Sequence, residues 1–232
     1  MATGHGTDTG HPAPRTAPPT VLPAGPGALL VELAHREDAD AFHTEVLRRR
    51  AAGALPEVRD IVPGERTVLL DGIAGDGAAG DGVAALAREL RTWTVPPPSS
   101  GSGAAVELPV VYDGPDLAEV AEAWGVAAED VARIHAETEF RVAFCGFAPG
   151  FGYLTGLPGP LHVPRRATPR TRVPAGAVAL AGPYTGVYPR PSPGGWQLIG
   201  QLPDPGPLWD PDREPAALLT PGTRVRFVEV AR

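Results

Sequence analysis

Apolar positions along the chain fall into short clusters, and their spacing changes partway. Ala28, Leu29, Leu30, Val31 and Leu33 form a compact run suited to a strand. Residues 38–52 place Phe42, Val46 and Leu47 on one helical stripe, and Gly53 and Pro56 end that helix. Residues 58–62 and 67–70 read as two strands joined around Pro63 and Gly64. A Gly-rich loop covers residues 71–82, a second helix residues 83–93, and residues 106–112 the next strand. The order β-α-β-β-α-β predicts a small ferredoxin-like α/β unit. Between its last helix and last strand, residues 95–103 (VPPPSSGSG) have the composition of a linker.

After Tyr112 the pattern shifts. One short helix starts near Pro115, with Asp116 and Glu119 spaced as a capping box, and ends at Gly125. A second spans residues 129–137 and turns Val131, Ile134 and His135 toward a core. From Phe140 onward the chain alternates short strands with Gly/Pro turns, at residues 141–145, 178–180, 185–188, 196–199 and 224–228. That text predicts a β-barrel or sandwich. The expected organisation is a disordered tail over residues 1–26, an α/β domain with its linker over 27–105, and a barrel over 106–232.

Composition narrows the chemistry. Gly and Pro contribute 29 residues each to the 232, but 29 of these 58 lie in residues 146–225, so they punctuate a fold there. All 20 basic residues are Arg. Without Lys the chain has no Schiff base, no P-loop Lys and no Lys general base. It also has no Asn and so no N-glycosylation site. Cys145 is alone, which excludes an internal disulfide and a Cys-rich metal site, and its apolar neighbours suit an inert thiol. No metal is expected; His5 and His11 alone do not make a site. No apolar run approaches ~20 residues and the N-terminus has no signal-peptide pattern, so a cytoplasmic location is expected.

The net charge of −7 hides a separation. Between Glu139 and Asp204 there is no Asp or Glu, while Arg141, Arg165, Arg166, Arg170, Arg172 and Arg190 all lie there. Four of them fall within residues 165–172, and planar guanidinium groups suit carboxylate and phosphate. A small anionic substrate or nucleotide phosphate is one reading, and a solvated or protein-facing basic loop the other. Any acid or base carboxylate must come from Glu137, Glu139, Asp204, Asp210, Asp212 or Glu214 folding back, or from another chain. The acidic balance and the lack of nucleic-acid motifs argue against nucleic acid. Ser192 lies in no GxSxG elbow and is not expected to be a nucleophile.

Several ordered fragments carry a family resemblance: GFAPGFGYL (146–154), PRRATPRTRVPAG (164–176), GPYTGVYP (182–189) and SPGGWQLIG (192–200). LPVVY (108–112), GPDL (114–117), His135 with Glu139, and LTPGTRVRF (219–227) also fit. Over residues 27–230 the chain resembles the carboxyltransferase C/D domain family, which includes 5-oxoprolinase B subunits, KipI-type sporulation kinase inhibitors and the first of the two allophanate hydrolase chains. Gly152, where the family usually has Pro, and Cys145, where it tends to a non-thiol residue, are departures. The resemblance implies a cyclophilin-like barrel after the α/β domain. It also implies an ATP-dependent (Mg-assisted) opening of 5-oxo-L-proline to L-glutamate in a hetero-oligomer with the C and A subunits. Inhibition of a sensor histidine kinase, or a biotin-dependent carboxyltransferase role, is the alternative it implies. Arg165, Arg166 and Arg170 are the expected anion contacts, Tyr153 and Gln197 the polar contacts, and Pro149, Gly150 and Phe151 the pocket wall; no catalytic residue is assigned.

Overall fold

The computed structural model describes residues 18–74, 81–94, 105–204, 206 and 208–231. The chain divides into two compact units, one comprising Met1–Ile61 with Arg66–Pro98 and the other Val62–Glu65 with Ser99–Arg232.

The first unit is built on a four-stranded sheet. Strand β1 (Thr20–Gly25) pairs antiparallel with β2 (Ala28–Glu32), setting Val21 opposite Val31. Helix α1 (Arg36–Ala51) follows, then β3 (Val58–Pro63), β4 (Thr67–Ile73) and helix α2 (Asp81–Leu90). The spatial order is β1-β2-β4-β3, with β2 antiparallel to β4. Phe42 and Val46 of α1, the stripe legible in the sequence, are fully buried with Val31, Val68, Leu70 and Leu90. Arg49 lies 3.8 Å above the Trp93 ring, a cation–π contact at the end of the same stripe.

Two expectations fail here. Residues 20–25, assigned to the tail, form β1. An edge strand needs only one paired side and tolerates Pro23, so Val21 is the one residue it has to bury. Residues 106–112 do not complete a ferredoxin-like sheet: β1 occupies the place beside β2, and residues 106–110 join the second unit. Residues 1–17 of the tail and the linker lie outside the described residues, as do residues 75–80 of the Gly-rich loop.

In the second unit, β5 (Val106–Val110) is followed by helices α3 (Leu117–Trp124) and α4 (Ala128–Glu137). Then come β6 (Phe140–Cys145), β7 (Gly152–Thr155), a 3-10 turn (Gly159–Leu161), β8 (Arg170–Val173), β9 (Ala177–Ala181), β10 (Tyr184–Val187), β11 (Ser192–Gly194), β12 (Gln197–Gln201) and β13 (Arg224–Glu229). Seven strands form one sheet in the order β12-β9-β10-β7-β6-β13-β5, and β8 and β11 form a two-stranded ribbon. Strand β5 runs parallel to β13, while the remaining ladders of the sheet are antiparallel.

The sheet nearly closes into a barrel. Val111 and Gln201 exchange two backbone hydrogen bonds of 2.9 Å between its two edges. A Cβ on Gly114 would stand 2.3 Å from the Leu198 carbonyl oxygen, so this closure needs a residue without a side chain. Strand β9 is buried on both faces. Val178 and Leu180 join a core with Val110, Phe140, Leu154, Ile199 and Phe227, while Ala177, Ala179 and Ala181 join a second cluster with Phe151, Tyr188 and Trp196. Small residues on that second face leave room for large rings opposite them.

Helix α3 ends at Gly125 in the left-handed region, φ 68°. Asp116, expected as its cap, makes no side-chain capping bond. In α4, Val131, Ala132 and His135 are buried. His135 Nδ1 stands 2.8 Å from the Tyr112 hydroxyl and Nε2 3.3 Å from Thr185 Oγ1, between the rings of Phe140 and Phe227. It is a core histidine, and burial pushes its pKa down to about 3.

Candidate functional site

A pocket of about 120 Å³ lies on the second unit, beside the turn between β6 and β7. Five rings line it, from Phe147, Phe151, Tyr153, Tyr188 and Trp196, together with residues 193–195 and Arg165. Phe151 is the hub: its ring meets Tyr153, Tyr188 and Trp196 edge to face at 5.0, 5.4 and 5.5 Å. A Cβ on Gly194 would meet the Tyr188 hydroxyl at 2.2 Å, so backbone and ring pack with nothing between them.

The turn itself is tight. Ala148 N–H donates to the Gly146 carbonyl at 2.7 Å and Phe151 N–H to the Ala148 carbonyl at 3.0 Å. Phe147 takes a left-handed conformation, φ 64°, and remains 57% exposed at the pocket edge. A bulky residue there stores backbone strain of about 1–3 kcal/mol.

No carboxylate lines the pocket. Among the described residues, Arg165 makes no ion pair with a carboxylate. Burial raises the pKa of the Tyr153 and Tyr188 hydroxyls, with the Arg165 charge opposing. Both phenols are therefore neutral hydrogen-bond donors at neutral pH. The lining offers one cation, two O–H groups and aromatic faces: recognition chemistry without a general base.

The predicted residues separate into two groups. Arg165, Tyr153 and Phe151 meet at the pocket. Arg166 and Arg170 turn away and converge on Asp116, which is 1% exposed. Arg166 Nη1 donates to its Oδ1 at 2.7 Å and Arg170 Nη2 at 2.6 Å, while the Leu198 N–H donates to its Oδ2 at 2.7 Å. Two of the expected anion contacts are thus paired with a carboxylate from inside, and Glu119 adds a second, longer contact to Arg166 at 3.4 Å. Gln197 also lies off the pocket, its Nε2 3.4 Å from the Pro164 carbonyl and its Oε1 buried without a described partner. Pro149 is exposed, and Gly150 (φ 82°) backs onto residues 208–209, where a Cβ would stand 2.9 Å from Trp209 Cβ; neither lines the pocket.

Asp116 was the residue that sequence reasoning missed, because its place at a helix start suggested capping. The signal was the acid-free stretch after Glu139, whose partly buried Arg side chains require a carboxylate from elsewhere. Of the acids expected to fold back, Glu139 pairs with Arg224, Glu137 with Arg133, and Asp204 and Asp210 bond local turn amides. Cys145 donates to the Leu219 carbonyl at 3.1 Å, and burial pushes its thiol up to about 11, as an inert thiol requires. Among the described residues, no group of three His, Cys, Asp or Glu side chains is placed to hold a metal, and no helix is long and apolar enough to cross a membrane.

The carboxyltransferase domain, subdomains C and D, matches residues 19–219. The 5-oxoprolinase B subunit from Escherichia coli O157:H7 is 44% identical over 182 residues, covering 75% of this chain and 79% of that one. Among solved structures, TTHA0988 is 35% identical with a TM-score of 0.71; the match takes in 88% of this chain but only 40% of that longer chain. The K. lactis urea amidolyase, at 18% identity and a TM-score of 0.67, shares the fold over 94% of this chain and 15% of its own. With the motifs from residue 108 to residue 227 all lying in the second unit, and a domain match across nearly the whole described length, the chain belongs to the carboxyltransferase C and D domain family.

Proposed function

We propose that this chain is the B component of a 5-oxoprolinase, acting with the A and C subunits to open the lactam of 5-oxo-L-proline to L-glutamate at the expense of ATP. The observation that carries this reading is the 44% identity to a 5-oxoprolinase B subunit over 79% of that protein's length. The pocket is consistent with a part in such a reaction. It offers a cation for a carboxylate and neutral phenols for an amide, with Arg165 and Tyr153 as substrate contacts. It holds no carboxylate for proton transfer, so the hydrolytic acid and base belong to a partner.

ATP supplies the activation that a stable amide requires, but this pocket does not fit a nucleotide. Its 120 Å³ falls below the about 300 Å³ where sites for drug-sized ligands begin, and the chain has no Lys for a P-loop. The nucleotide and its Mg are assigned to a partner chain. The family's description also fits a second reading, a carboxyltransferase component working with biotin. Without Lys this chain carries no biotin itself, so the group would arrive on another protein.

Co-expression with homologues of the A and C subunits, followed by an oxoproline-dependent ATPase assay, tests the proposal. The chain alone should be inactive, and the assembly should release phosphate and L-glutamate together, unaffected by avidin. An assembled complex that turns over no 5-oxoproline overturns the reading, and inhibition by avidin favours the carboxyltransferase one.

A further inference from the structure

Resting on that reading, we infer that the pocket beside Phe147 takes the carboxylate end of a small ring acid, with Arg165 pairing the carboxylate and the Phe147, Tyr153 and Trp196 rings covering the ring face.

The fold treats the four Arg residues at 165–172 differently. Arg166 and Arg170 are held by Asp116. Arg172 is exposed on β8 and does not line the pocket. Arg165 alone of the four lines it, with no described carboxylate to neutralise it. Its backbone is held through its neighbour. The Arg166 N–H donates to the Gly195 carbonyl at 2.8 Å while the Arg166 side chain reaches Asp116. The backbone at residues 165 and 166 is therefore tied to the segment that forms the pocket wall, which keeps Arg165 at the pocket.

Shape then restricts the anion. A free phosphate would use the cation but leave the aromatic lining without a partner. A nucleotide exceeds the space. A five-membered ring bearing one carboxylate uses both, its faces against rings already arranged edge to face around Phe151 and its charge on the guanidinium. Phe147, held partly exposed by its left-handed backbone, is placed to cover such a ring from the mouth.

Tryptophan fluorescence titrations of the chain, and of its complex with homologues of the A and C subunits, test this with three probes. These are 5-oxo-L-proline, cyclopentanecarboxylate (ring and carboxylate, no lactam) and 2-pyrrolidinone (lactam, no carboxylate). Both acids should bind within about tenfold of each other, and 2-pyrrolidinone about 10- to 100-fold more weakly, the range for a lost charge-assisted hydrogen bond. Arg165→Met should weaken both acids by a similar factor and leave 2-pyrrolidinone unchanged; Arg165→Lys should restore part of the loss. Arg172→Met, which removes the same charge off the pocket, should change nothing. Equal binding of 2-pyrrolidinone, unchanged acid binding in Arg165→Met, or no saturable binding of either acid in chain or complex overturns the inference. The two readings fail separately. A complex that hydrolyses 5-oxoproline with wild-type KM in Arg165→Met sinks the pocket assignment alone. A complex with no oxoprolinase activity whose chain still binds both acids through Arg165 sinks the functional reading alone.

Discussion

At Phe147 the backbone and the side chain want different things. A left-handed φ of 64° suits glycine, yet a phenylalanine stands there with its ring 5.3 Å from Phe151 and 6.0 Å from Tyr188. Strain of this kind persists where the surroundings over-determine it, and here it holds an apolar ring at the mouth of a pocket. Phe147→Gly relieves the strain but discards the ring contacts and adds chain entropy to the unfolded state, so stability should stay within about 1 kcal/mol of wild type. Binding of the ring acids should nevertheless fall several-fold. A thermal melt together with the fluorescence titration checks both, and a large loss of Tm would show that Phe147 serves packing instead. The Gly and Pro residues around Phe147 suit a turn but carry no sign of its φ, because turn geometry is set by hydrogen bonds among residues 146–151 that composition does not reveal. Arg165 and Arg166 pose the same difficulty. They are chemically identical neighbours, and only the three-dimensional position of Asp116 decides which one is neutralised.

Asp116 shows how one residue at the head of a helix joins separate elements. From the start of α3 its carboxylate reaches Arg166 in the loop before β8, Arg170 at the start of β8, and the backbone of β12. Asp116→Ala would strand the partly buried Arg170 guanidinium and the Leu198 amide and leave Arg166 only its longer contact with Glu119, 3.4 Å, and should cost about 3–5 kcal/mol in a denaturant melt. Replacing all three charged groups together, Asp116→Leu with Arg166→Met and Arg170→Met, should recover most of that loss. No recovery would mean that the carboxylate acts mainly through the Leu198 amide. Elements of this kind were unevenly legible. Helices α1 to α4 and strands β2, β4, β9 and β13 each carry an apolar stripe or run, and periodicity finds them. Strands β7, β8 and β11 are three or four residues long and contain Gly, Pro or Arg, and only Val173 of β8 is buried. Their pairing comes from partners distant in sequence, which no local pattern records.

At the scale of the whole molecule, residues 106–110 fit two readings of the sequence, the last strand of the α/β order and the first strand of the barrel region. Their alternation suits either sheet, and the parallel pairing with β13 depends on a strand more than a hundred residues away. The same barrel unit carries a pH dependence that follows from His135. The histidine sits between Phe140 and Phe227 with only the Tyr112 and Thr185 hydroxyls as polar neighbours, and burial holds its pKa at about 3 against 6.5 in the unfolded chain. Between those values the unfolded state binds the extra proton, so stability is fully present above pH 6.5 and declines as pH falls toward 3. From pH 7 to pH 5 the loss from this one residue is about 2 kcal/mol. His43 of the first unit, which burial and Arg50 push down to about 4, adds acid sensitivity of its own, so the wild-type trend alone does not isolate the barrel. His135→Gln, which keeps a polar group for the two hydroxyls and removes the titration, does. Urea melts at pH 7 and pH 5 should show the wild type losing about 2 kcal/mol more than the variant. Equal losses would mean that His135 is solvated enough to take up a proton in the folded protein, and that the layer of α4 against β6 and β13 opens more readily than its packing implies.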